Sequence, residues 1–295
     1  MKIPAALACI LLGAATAQAQ VQLELKFARL HYIAYEPVIA TVKITNLAGR
    51  DIELRNERQQ HWFGFEINTT EGRILAPAPQ DPEPPLVIEA GQTVTRKINL
   101  TPRFPVHELG PYHVRANIYF ADLDKFFYSQ RKVFHVGDAR PIWQRTVGVP
   151  EGLPGGGGVR TYSLLSNRFP DHTKLYVRVE DKSSAAVYST FSLGRVIAID
   201  EPQVELDRQN ELHVLHCSAP RTWAYSRIGL NGQLLARSTF METKTRPRLR
   251  QAENGGIGVR GGMIETPAAA AAPGAPTAPG AAKLSARPPN IPTDD

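Results

Sequence analysis

The segment from Leu109 to Phe120 constrains this chain more than any other. Tyr112, Val114, Ala116, Ile118 and Phe120 alternate with His113, Arg115, Asn117 and Tyr119, the two-residue period of a strand with one face on a core. Such a strand cannot bury its apolar side alone, and the first half of the chain supplies partners with the same period. Val21, Leu23, Leu25 and Phe27 form one, and Val38, Ala40, Val42 and Ile44 a second. Ile52 and Leu54, then Phe63, Phe65 and Ile67, then Leu86 to Ile88, then Val94, Ile98 and Leu100 continue the series, and a last strand is expected from Phe126 to Val136. Strands this short, separated by turns, predict a two-layer antiparallel β architecture.

Two local motifs sharpen that expectation. Gly110-Pro111-Tyr112 opens the alternating segment and resembles the tyrosine corner of immunoglobulin-like sandwiches, in which the ring buries and the hydroxyl bonds nearby backbone. Glu36-Pro37-Val38, the strand after it, the turn Asn46-Leu47-Ala48-Gly49 and the pair Ile52 and Leu54 resemble bacterial Ig-like modules of the macroglobulin type and of Ig-like proteinase inhibitors. The resemblance covers Val21 to Val136. It implies a sandwich over residues 20–137 and carries over no functional residues.

From Gly137 the character changes. Gly152, Pro154 and Gly155 to Gly158 are poor core formers, so residues 138–158 read as a flexible linker, with Trp143 available to dock on a neighbouring domain. Residues 159–265 read as a second antiparallel β domain. An offset of 37 residues aligns Leu175 with Leu212, Val177 with Val214, Tyr188 with Tyr225, Ser189 with Ser226 and Leu193 with Leu230. The stretch Leu206 to Val214 resembles the strand-turn-strand of propeller blades. Two blade-like meanders cannot close a propeller, so they are expected to pack on each other. Residues 266–295, rich in Ala, Pro and Gly, read as a disordered tail.

Met1-Lys2, the apolar run Ala5 to Ala15 and Ala17-Gln18-Ala19 read as a secretory signal over residues 1–19, and the run is shorter than the ~20 residues a membrane span needs. Cys9 falls within it, leaving Cys217 alone after cleavage and no intrachain disulfide. A balance of 34 basic to 28 acidic side chains is too mild for dedicated nucleic-acid binding.

Few residues suggest chemistry. His213 and His216 are the closest histidine pair, but residues three apart on a strand point to opposite faces and do not chelate one metal; one of them is expected to be a hydrogen-bonded core histidine and Cys217 a buried hydrophobe. Gly256-Ile257-Gly258-Val259-Arg260-Gly261 fits a dinucleotide fingerprint, but Pro267 leaves no room for the helix that motif requires, so a hairpin is expected. Asp122 and Asp124 fall short of a calcium ligand set. No cofactor, metal ligand set or catalytic residue is therefore assigned. Two contact features remain. Trp62 lies opposite Phe63, Phe65 and Ile67, either as an exposed platform for a ligand or as a ring buried by sheet curvature. Lys244, Arg246, Arg248 and Arg250 would share one face of an extended segment, either as a polyanion contact or as a charged guard on an exposed edge.

The expected product is an exported periplasmic or extracellular, non-enzymatic binding protein engaging an envelope protein or an anionic polymer. A proteinase inhibitor presenting Pro77 to Pro85, a stretch with five prolines, is the alternative. A hydrolase with an interdomain site has least support.

Overall fold

The computed structural model describes residues 20–253 and 255–265, which form strands, turns and loops with one 3-10 turn at Ala121–Leu123. The signal segment 1–19 and the tail 266–295 lie outside the described residues. Among those described, no helix is long and apolar enough to cross a membrane.

The N-terminal half contains β1 (Val21–Phe27), β2 (His31–Ile33), β3 (Ile39–Asn46), β4 (Ile52–Leu54), β5 (Phe63–Thr69), β6 (Leu86–Ile88), β7 (Thr93–Asn99), β8 (Gly110–Phe120), β9 (Lys125–Tyr128) and β10 (Lys132–Gly137). One sheet runs β1-β3-β7; the other runs β2-β10-β8-β5, with β9 also on β8. All neighbours are antiparallel except β2, which runs parallel to β10. The opening segment therefore splits between the two sheets, β1 in one and β2 in the other. Leu23, Leu25, Val42 and Ile44 share a core with Tyr112, Val114, Ala116, Ile118 and Phe134. Each large aliphatic side chain buried there contributes roughly 1.5–3 kcal/mol.

Two polar anchors fix this half. The Tyr112 hydroxyl donates to the Glu108 carbonyl at 2.9 Å while its ring stacks on Phe134, so the tyrosine corner is present. Asn46 is fully buried; its amide donates to the carbonyls of Arg50, Ile88 and Glu89 and its side-chain oxygen accepts the Ala48 N–H, which ties the β3 turn to β6. The strand expected from Phe126 to Val136 is interrupted between β9 and β10. Buried Ser129 accepts the Ala116 N–H through its hydroxyl there, taking a ladder position for its side chain.

The second half begins almost at once, which corrects the expected linker. Only Asp138 and Ala139 separate β10 from β11 (Arg140–Gly148), which pairs with β12 (Val159–Arg168). Trp143 and Val147 pack on the core of this half. The glycines belong to the β11–β12 hairpin loop, closed by the Val149 N–H on the Gly158 carbonyl at 2.8 Å. Gly155 sits at φ +82°, a left-handed dihedral that favours glycine, with the tip of the Arg160 side chain beside it.

β11 and β12 continue into β13 (Thr173–Asp181) and β14 (Ala186–Val196), a four-stranded antiparallel meander. A second sheet runs β15 (Gln203–Leu206), β16 (Leu212–Ala219), β17 (Thr222–Ile228), β18 (Leu234–Met241), with β21 (Met263–Glu265) outside β18; β19 (Arg248–Gln251) and β20 (Ile257–Arg260) form a hairpin. The two meanders pack face to face through Tyr162, Leu164, Leu175 and Val177 on one side and Leu212, Val214 and Ile228 on the other. The hairpin covers the outer face of the second sheet, where Leu249 meets Leu215, Cys217 and Trp223.

The 37-residue correspondence does not mark equivalent units. It lays β13, third in its meander, over β16, second in its own. The registers also differ: Val177 faces Phe191, whereas Val214 faces Ser226 and not Ile228.

The halves meet directly. Ile33 packs with Leu165 and Tyr176, while Arg178 donates to the Ala34 carbonyl at 2.6 Å and lies 5.1 Å from the Tyr35 ring centre. Buried Glu36 accepts both the Ile33 N–H and the Arg29 guanidinium, fixing the turn on which Arg178 rests.

Candidate functional site

Both contact features expected from the sequence are committed within the fold. Trp62 is no platform: its side chain is 0% exposed, and its indole N–H donates to the Pro84 carbonyl at 2.9 Å. The proline-rich excursion folds over the ring, a long-range contact that strand alternation does not encode. Arg96 lies 5.3 Å from the ring centre on the same site. The cationic stripe also fails to form as a free row. Only its end is strand, the backbone bends at residues 243–245, and Lys244 therefore leaves the line of Arg248 and Arg250. Arg246 and Arg248 converge on Asp200 at 2.9 and 3.2 Å, and Arg246 also reaches Glu242 at 3.4 Å. Lys244 and Arg250 stay exposed. Asp122 is likewise paired, with Arg50 and Arg55, while Asp124 accepts the Tyr119 hydroxyl at 2.7 Å. The glycine-rich fingerprint is strand β20 of the terminal hairpin.

Among the described residues, a group of potential metal ligands lies at the β15–β16 turn. Asp207 organises that turn: one carboxylate oxygen accepts the N–H groups of Gln209 and Glu211, each at 2.9 Å, while Asn210 takes a left-handed conformation at φ +59°. This is the Asx geometry for which aspartate is suited. The second oxygen of Asp207 lies 3.1 Å from Nε2 of His213, and Nδ1 of His213 lies 2.8 Å from the Tyr225 hydroxyl on β17. His213 is 2% exposed, so both ring nitrogens are satisfied inside the protein. The ligand atoms of Asp207, Glu211 and His213 all lie within 4.8 Å of one another. Beneath them the Tyr162 hydroxyl donates to the Asn210 carbonyl at 2.9 Å, and burial raises its pKa.

His213 is thus the hydrogen-bonded core histidine expected of the pair. His216, on the opposite face of β16, is wholly buried with no hydrogen-bond partner for either nitrogen, and burial pushes its pKa down to about 4. Cys217 is buried, its thiol donating to the Ala219 carbonyl at 3.2 Å, and burial pushes its pKa up; such a thiol is a poor nucleophile. Strand spacing alone does not bring Asp207 and Glu211 to His213, because they join it across the turn. The available signal was Asp207-x-x-x-Glu211-x-His213 across a turn already legible as blade-like.

Two further surfaces among the described residues bear on binding. A groove of about 420 Å³ at one end of the second half is lined by Ile142, Leu175, Val196, Ile199 and Pro202, with Glu201 also at its wall. Ile142 and Ile199 are 46% and 59% exposed and line the same groove, which makes them a shared apolar patch rather than isolated surface side chains. The second surface is Pro79 to Pro82, exposed between two anchors: the Ala78 N–H on the Arg103 carbonyl at 2.8 Å, and Glu83 paired with Arg96 and Arg103.

No family model matches this chain, and no curated protein matches its sequence. Among solved structures it is similar to Spo0M, a sporulation control protein from Bacillus subtilis, with a TM-score of 0.28 and 10% identity over 59% of this chain and 91% of that one. A superposition this loose carries no argument about function.

Proposed function

We propose that this chain is an exported, non-enzymatic binding protein of the cell envelope whose partner is a protein that seats apolar side chains in the groove at Ile142 and Ile199. The groove carries the reading, because it joins two well-exposed isoleucines to an apolar floor while Cys217, His213 and His216 are buried. An anionic polymer is disfavoured by that floor, by Glu201 and by the commitment of Arg246 and Arg248 to Asp200. The test places a photo-crosslinker at Ile199 and, as a control, at exposed Val87 on the other half, then exposes both proteins to envelope extract. A discrete protein adduct at 199 alone, lost on Ile142→Asp, is expected. A polysaccharide adduct, or equal labelling at both positions, overturns the reading.

The alternative is a proteinase inhibitor, favoured by the Pro79–Pro82 segment held at both ends, since an inhibitory loop must be exposed and already ordered. It predicts inhibition of an envelope protease that Glu83→Ala weakens and Ile142→Asp leaves unchanged. Inhibition with the opposite sensitivity rejects it.

A further inference from the structure

We propose that Asp207, Glu211 and His213 form a binding site for a divalent transition ion of the Zn²⁺ type, closing the β15–β16 turn onto β17. Two carboxylates alone would be an ordinary acidic turn. The buried imidazole is what distinguishes this one, because imidazole nitrogen favours zinc over the hard oxygen-seeking cations magnesium and calcium.

The geometry is close to what the ion needs. Two ligands each about 2.1 Å from a tetrahedral ion stand about 3.4 Å apart, and His213 Nε2 and Asp207 Oδ2 are already 3.1 Å apart. Asp207 is aimed by its other oxygen, which holds two backbone N–H groups of the turn. Glu211 supplies the third ligand from within 4.8 Å, so at most a small swing brings it to bonding distance. It is free to make that swing: its side chain is 26% exposed and its ion pair with Arg227 is loose at 3.6 Å.

The Tyr225 hydroxyl completes the arrangement. With Nε2–H donating to Asp207, Nδ1 accepts from Tyr225; with Nε2 on a metal, the ring proton moves to Nδ1 and donates to the same hydroxyl oxygen. A metal-bound histidine is characteristically oriented by such a partner on its other nitrogen. No group needs to be displaced from His213, and the imidazole changes tautomer in place.

The test uses the full chain, stripped with chelator and titrated calorimetrically with Zn²⁺, and in a parallel arm with Mg²⁺. His31 and His135 stack on neighbouring strands at 5.2 Å and offer zinc a competing surface site, so the titration is run on a His31→Asn, His135→Asn background. One Zn²⁺ per chain is expected on that background, with Mg²⁺ far weaker and Glu211→Gln lowering zinc affinity at least tenfold. Imidazole nitrogen NMR of the unsubstituted protein should show His213 passing from the Nε2–H to the Nδ1–H tautomer on zinc addition. Loss of all zinc binding on the double-asparagine background, equal affinity of Glu211→Gln, equal binding of Mg²⁺, or an unchanged His213 tautomer would each overturn the proposal.

Discussion

Replacing His216 by leucine should make the protein less sensitive to acid. His216 lies on the face of β16 that carries Leu212 and Val214, is 0% exposed, and has no hydrogen-bond partner on either nitrogen. Burial is the main cause holding its pKa down to about 4 from an ordinary 6.5; the Arg237 charge acts in the same direction, and the nearby Arg195 backbone opposes it. The native state therefore binds this proton less readily than the unfolded chain. Its contribution to stability is complete above pH 6.5 and declines as the pH falls from 6.5 toward 4, where the native ring protonates as well. The full window corresponds to roughly 3 kcal/mol, of which about 2 kcal/mol is lost by pH 5. At pH 7 leucine removes two unpartnered nitrogens, so the variant should be at least as stable as the parent. Urea unfolding of both proteins at intervals between pH 7.5 and 4.5 measures the difference, and subtraction cancels every group the two share. Parallel stability curves across that range would refute the account.

Tyr112→Phe should cost about 1 kcal/mol through the lost bond to Glu108, and Tyr112→Ala several; an unchanged melting temperature for the alanine variant would exclude the corner as an anchor. Limited proteolysis should cut the exposed loop at residues 150–157, yet the products should co-elute under native conditions because β11 remains paired with β12 across the nick. Fragments that separate freely would contradict that pairing. Asp200→Asn should release Arg246 and Arg248 and increase salt-sensitive retention on heparin; retention equal to the parent would show that Asp200 does not restrain them.

What the sequence reveals follows the range of the interactions. Strand alternation is local, so β1, β3, β5, β7 and β8 are readable from their own residues. The tyrosine corner is local as well, because Glu108 and Tyr112 are four residues apart. The β11 strand is not local in this sense. Beyond Trp143 and Val147 it buries little, and Arg140, Gln144 and Thr146 are exposed; its strand character comes from pairing with β12, while the neighbouring glycines dominate any compositional reading. The same limit explains Trp62, whose cover arrives from Pro84, and Arg246, whose partner Asp200 lies 46 residues earlier.

The Asp207 cluster stands between these cases. Its ligands span only seven residues, Asp207 to His213, so its sequence distance resembles that of the tyrosine corner. A strict strand period nevertheless conceals it, because Asp207 reaches His213 only after the chain reverses through Asn210 at φ +59°. A turn resets the periodicity and places residues of unrelated phase on one side of the sheet. Spacing rules for metal and catalytic sites therefore have to be applied across hairpin turns as well as along strands. In an all-β chain, where each strand presents only alternate residues to a face, the turns are where three chemically different side chains from a short stretch most readily converge.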